Sequence, residues 1–114
     1  MSNWENIYGW EEVKEYLFPK ILLCEGCGMR RPEELHHILI HRAKGNKKLD
    51  CAINAMALCK ECHESGKYNS WKEREKHYNK QVERYGEEAV LEWLDSLQLR
   101  DKPKFGGHNA RKTG

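Results

Sequence analysis

Two Cys-x-x-C pairs, Cys24/Cys27 and Cys59/Cys62, are the residues whose type and spacing most directly imply chemistry. Zn²⁺ favours four soft thiolates in a tetrahedron, and each Cys-x-x-C turn sets two sulfurs on one side of an ion while its backbone amides stabilise their charge. The glycines of Cys24-Glu25-Gly26-Cys27-Gly28 suit such a tight knuckle. A closed shell of four thiolates leaves no position for water, so the zinc expected here is structural rather than catalytic. Ordinary buried thiols or a redox pair account less well for two pairs in one short chain. The fifth cysteine, Cys51, reads as a core thiol.

Four histidines cluster around these pairs: His36, His37, His41 and His63. The order Cys-x-x-C, then Glu34-Leu35-His36-His37-Ile38, then a glycine-containing loop, then Asn54-Ala55-Met56-Ala57-Leu58-Cys59-Lys60-Glu61-Cys62-His63 resembles the HNH family of ββα-metal nucleases, over roughly residues 24–67. The resemblance implies hydrolysis of DNA phosphodiester bonds, by nicking or double-strand cleavage. It puts His37 in the general-base position, His36 and His63 in the positions that hold a catalytic divalent metal, and Asn54 in the place of the middle asparagine. Alternation along a strand agrees with dividing the labour between His36 and His37, since neighbouring side chains point to opposite sides. A ligand histidine holds the ion through one ring nitrogen, whereas a base must stay neutral and free, which a reference pKa of about 6.5 permits. Asn54 either ligates the metal through its amide oxygen or holds the loop that orients His37. The metal would neutralise charge on the phosphate and stabilise the leaving oxygen. Many relatives carry aspartate where His36 stands, and histidine there shifts preference from Mg²⁺ towards Mn²⁺, Co²⁺, Ni²⁺ or Zn²⁺. His41, His77 and His108 gain no role from the pattern and read as solvated or packing residues. Glu33 and Glu34 read as solvated, with Glu34 close enough to support a ligand from behind.

These residues need elements to hold them. With 114 residues, 39% hydrophobic and 33% charged, the chain makes one small domain whose thin apolar core calls for a staple. The expected class is α+β: a ββα-metal module over 21–69, a helical extension over 1–20, helices over 70–100 and a flexible basic tail over 101–114. Trp10, Val13 and Leu17 recur at helical spacing and Pro19 stops them, which predicts a helix near 9–18. Leu35–Ile40 reads as a strand, Arg42–Asp50 as a polar loop, and Ala55–Leu58 as a second short strand or turn. Gly66 predicts a short or kinked helix after His63. Ser70-Trp71-Lys72-Glu73 has the form of a capping box, and Trp71, Tyr78, Val82, Tyr85 and Ala89 form a stripe interrupted at Gly86. A helix over Trp71–Tyr85 follows, then a second one carrying Val90, Trp93, Leu94 and Leu97 to about Leu99. The tail is too polar and glycine-rich to pack.

The net charge is only +2, but it is unevenly spread. Arg42, Lys44, Lys47 and Lys48 face no acid within their stretch, and the tail sets Lys102, Lys104, Arg111 and Lys112 against Asp101. Both stretches, with Lys67, are candidate phosphate contacts. DNA is therefore the expected partner, bound with little sequence preference because backbone contacts carry no base information. The rival reading is a catalytically silent zinc-stapled module that binds DNA or a protein partner. A third makes the chain one component of a larger machine, such as phage packaging or recombination, docked through the helices after Ser70. No apolar run approaches the roughly 20 residues of a membrane span, and the start lacks the zones of a signal peptide. A cytoplasmic location is expected, compatible with a phage-encoded protein.

Overall fold

Trp10, Val13 and Leu17 do fall on one helix, α1 (Trp10–Leu17), in a computed structural model that describes residues 7–41, 47–97 and 105. Val13 and Leu17 are buried with Leu35, Ala52, Ala55 and Ala57, each large side chain contributing about 1.5–3 kcal/mol. That burial lays α1 against one face of a two-stranded antiparallel sheet. Its strands are β1 (Glu34–His37) and β2 (Ala55–Leu58), in a register that sets Leu35 against Ala57, His36 against Met56 and His37 against Ala55. Leu35 and His37 consequently point towards α1, and His36 points away from it.

β1 is shorter than the strand expected over Leu35–Ile40, and Asn54 explains why. Its Oδ1 accepts from the amides of Leu39 (2.8 Å) and Ile40 (2.9 Å), and its Nδ2 donates to the carbonyls of Ile40 and Leu49, both at 3.0 Å. The backbone groups that would continue the ladder are thus taken by a side chain. On the partner strand, Ala52–Asn54 forms a 3₁₀ turn. The chain leaves the sheet after His37 and buries Ile38, Leu39 and Ile40 in the core.

β2 runs straight into α2 (Lys60–Ser65), where Cys59 is the N-cap. Glu33, expected to be solvated, accepts from the first amide of α2, that of Lys60 (2.9 Å). Gly66, at φ 74°, ends the helix after six residues, a left-handed conformation that a side chain would resist. A 3₁₀ turn at Lys67–Asn69 leads to α3 (Trp71–Tyr85), whose cap is Ser70 accepting from the Glu73 amide at 3.2 Å. Gly86 separates it from α4 (Glu87–Ser96), which stops short of Leu99. The buried face of α3 differs from the expected stripe: His77, Tyr78 and Gln81 are buried, with Val82 and Tyr85 packed at the core's edge. Gln81 donates to the carbonyls of Ala52 (3.0 Å) and Ile53 (2.7 Å), so a polar residue ties α3 to the turn before β2. Ile38, Leu39, Leu49, Ile53 and Leu58 meet Val90, Trp93 and Leu94 in the main core.

One expectation for the tail is overturned at Phe105, which is buried. It stacks on Trp71 (ring centres 4.9 Å) and Tyr78 (5.3 Å), because this one ring finds two aromatic partners on α3. The rest of 101–114 lies outside the described residues. The fold is a small α+β arrangement of a two-stranded sheet and several helices. Among the described residues no helix is long and apolar enough to cross a membrane.

Candidate metal centres and active site

The four cysteines converge. The sulfurs of Cys24, Cys27, Cys59 and Cys62 all lie within 4.8 Å of one another, and Cys27 to Cys59 is 4.0 Å. Four sulfurs at about 2.3 Å from a tetrahedral ion stand about 3.8 Å apart, so the set could hold a zinc ion. The two turns reach this geometry by different means. In the first, the amides of Gly26 (3.3 Å) and Cys27 (3.5 Å) point at the Cys24 sulfur; in the second, Cys59 and Cys62 sit on the first turn of α2. Burial pushes the Cys24 thiol up, but the backbone at Cys59, Cys27 and Gly26 outweighs it and holds the group down at about 6. Cys62 goes the other way, to about 12, through burial and the neighbouring sulfurs of Cys59, Cys24 and Cys27. Four thiolates repel one another without a cation between them. Cys51 is buried in the core, as expected, with its thiol pushed up to about 12 by burial.

Glu25, inside the first turn, fixes this knuckle to the fold. Its side chain is 3% exposed. The Glu25 amide donates to the Ala57 carbonyl (2.8 Å), and its Oε2 accepts from the Ala57 amide (2.8 Å), which extends the sheet by a side chain. Oε1 pairs with Arg84 (2.6 Å) and Lys80 (3.6 Å) of α3. A Cβ at Gly26 would meet the Tyr68 ring at 2.7 Å, so a side chain there would force the ring to shift.

His63 follows Cys62 on α2, so the second knuckle sets its position. Across from it stands His36 of β1, with ring centres 5.3 Å apart. Each ring has an oxygen acceptor at one nitrogen: Tyr68 carbonyl for His36 Nε2 (3.4 Å) and the Glu34 carboxylate for His63 Nδ1. Glu34 therefore stands behind His63 while 39% of its side chain stays exposed. Burial pushes the His36 imidazole down to about 4, with His63, His41 and His37 acting in the same direction against the Tyr68 hydrogen bond. His36 is then uncharged at neutral pH and keeps a lone pair for a metal.

His37 is on the other side of β1. Its ring stacks on Trp10 (centres 4.4 Å, planes 25° apart), and Nε2 bonds Asp50 Oδ1 at 2.8 Å. Neither Trp10 nor Asp50 was expected at the site, and sequence spacing gave no sign of either. Asn54 is fully buried with four hydrogen bonds to backbone. Both acceptor positions of its amide oxygen are occupied by amides, so of the two roles open to it these bonds describe the loop-holding one and leave no lone pair for a metal. His41, given no role by the sequence, stands beside His36 with ring centres 5.5 Å apart. His77 is a packing residue, buried and pushed down to about 4 by burial.

The expected phosphate contacts are only partly placed. Arg42, Lys44, the Lys47 side chain, Lys102, Lys104, Arg111, Lys112 and His108 lie outside the described residues. Lys48 is exposed and reaches the Ser96 carbonyl (3.4 Å), on the side of α4. Lys67 is exposed beside Tyr68, and it lines a cavity of about 190 Å³ next to the first knuckle in which Lys76 and Lys80 are matched by Glu73 and Glu25. No protein family, curated protein or solved structure matches this chain.

Proposed function

We propose that the chain is a metal-dependent endonuclease of the HNH type that hydrolyses DNA phosphodiester bonds. One observation carries the reading: His36 and His63, brought from β1 and α2 to ring centres 5.3 Å apart, each have one ring nitrogen backed by an oxygen acceptor. That is how metal-holding histidines are oriented, the backing oxygen fixing the tautomer and the lone pair of the other nitrogen facing the ion. His36 and His63 would hold the divalent ion, with Asn54 outside the ligand set. When bound, such an ion supplies charge neutralisation at the phosphate and at the leaving oxygen.

The remaining work falls to His37. With its Nε2–H donated to Asp50, Nδ1 carries the lone pair that accepts a proton from water. The water oxygen bonds to phosphorus as that proton leaves, and the P–O bond to the departing strand breaks. Asp50 and Trp10 act as positioning residues that hold the ring in one tautomer and one plane. Lys67 offers charge for a flanking phosphate.

The alternative of a catalytically silent zinc module that binds DNA or a protein partner draws on a different observation. His37 is turned towards α1 and engaged by Trp10 and Asp50, away from the His36–His63 pair. Incubation of supercoiled plasmid with the zinc-loaded protein across Mg²⁺, Mn²⁺, Co²⁺, Ni²⁺ and Zn²⁺, with a chelator control, separates the two. Metal-dependent nicked or linear product, lost in His63→Ala, supports the nuclease. Binding without cleavage under every metal supports the silent module.

A further inference from the structure

We infer that His41 is a third imidazole ligand, and that His36, His41 and His63 together take a transition ion such as Zn²⁺, Co²⁺ or Ni²⁺ in preference to Mg²⁺. The inference rests on the metal site of the reading above and adds to it a residue and a class of ion.

Distance is the first argument. His41 stands five positions after His36, and in a continuing strand the two would be about 16 Å apart on opposite faces. Their rings are instead 5.5 Å apart, and those of His36 and His63 are 5.3 Å apart. Two imidazoles bound to one tetrahedral ion through bonds of about 2.0–2.1 Å have ring centres about 5 Å apart. The chain is bent to achieve this. Asn54 holds the amides of Leu39 and Ile40 and the carbonyl of Ile40, and Arg74 donates to the Leu39 carbonyl at 2.6 Å. The two residues before His41 are therefore clamped at three backbone groups and a fourth contact, which returns His41 towards His36.

Unused bonding capacity is the second. His41 Nε2 is buried and has no hydrogen-bond partner. A buried nitrogen without a partner is costly unless a ligand takes it. In His36 and His63 one ring nitrogen faces the Tyr68 carbonyl or the Glu34 carboxylate, which leaves the other nitrogen for an ion. Among the described residues only the four cysteines have donor atoms all within 4.8 Å of one another, so closing the three rings on one ion would require side-chain rotation. Three nitrogens favour borderline metals over Mg²⁺, which prefers oxygen and keeps its water.

The test uses the full chain with zinc already in the cysteine site, titrated with Co²⁺ and separately with Mg²⁺ by calorimetry and absorption. The expected parent result is one further Co²⁺ per chain, with a d–d spectrum that lacks thiolate-to-cobalt charge transfer, and no comparable Mg²⁺ binding. His41→Ala and the better space-filling His41→Gln should each weaken Co²⁺ roughly tenfold or more. If His36→Ala and His63→Ala lose Co²⁺ while both His41 variants bind as the parent does, the third ligand is overturned and the nuclease reading stands. If the parent binds no second Co²⁺, both fall. Should the His41 variants fold poorly by circular dichroism, the parent decides alone: ¹⁵N imidazole spectra on adding Zn²⁺ must move His41 Nε2, and an unmoved resonance overturns the inference.

Discussion

Replacing Asn54 by alanine should unfold the loop that carries the histidines without touching any metal donor. The side chain makes four hydrogen bonds, all in a buried site: two accepted from Leu39 and Ile40 and two donated to Ile40 and Leu49. At about 1 kcal/mol net for each, their loss costs about 4 kcal/mol, and more if water cannot reach the four orphaned backbone groups. Domains of this size have about 5–15 kcal/mol of stability in total, so Asn54→Ala should lose a large share of it. Asn54→Asp is no rescue: it keeps the two accepted bonds but turns a carboxylate oxygen towards two carbonyls. Urea unfolding followed by circular dichroism, with zinc saturating for parent and variants, gives the difference at an unchanged slope. A loss below about 1 kcal/mol would refute the reasoning, because buried backbone groups cannot be abandoned so cheaply. If stability held while affinity for the second metal fell, Asn54 would be a ligand after all.

Three further outcomes follow from other parts of the molecule. Chelating the zinc, or making Cys59→Ser, should release both knuckles and sharply lower the folded fraction, since the metal's binding energy is folding energy in a core this thin; elemental analysis finding no zinc would contradict it. Gly26→Ala should cost about 1–3 kcal/mol through overpacking against Tyr68, measured as a fall in the urea midpoint. Burial holds His77 at about 4 against 6.5 for the free imidazole, with Lys80 and Arg84 pushing the same way and Glu25 and the Ala55 backbone opposing. The unfolded chain therefore binds a proton first, and stability falls as pH drops from about 6.5 to about 4, by up to about 3 kcal/mol, and levels off below. His77→Gln should flatten that slope relative to the parent in pH-dependent unfolding.

What the sequence disclosed was local. The knuckles, the Ser70 cap of α3, the break at Gly86 and the short helix before Gly66 each rest on signals within a few residues, and the structure has them all. The α1 stripe was legible for the same reason. What it hid was contact between distant residues. Leu39 and Ile40 have strand-like composition, but the Asn54 side chain fourteen and fifteen positions away takes their amides. Phe105 looked solvated because its neighbours are polar, yet its partners are on α3. Glu34 read as solvated and the sequence suggested no partner for Glu25 or Asp50, yet each is fixed by a cation, histidine or backbone amide far along the chain. His41 escaped notice because only a bend after β1 brings it to His36.

The central claim is tested most directly by the single-turnover rate of plasmid cleavage by His37→Ala at saturating divalent metal. His37 bonds Asp50 and stacks on Trp10, away from the His36–His63 pair, so the variant should stay folded and bind metal and DNA as the parent does. A general base is typically worth about 10²- to 10⁴-fold, and cleavage should fall by that factor, without rescue by excess Mn²⁺. Cleavage by His37→Ala at the parent's rate, or no cleavage by the parent with any metal, would contradict the account.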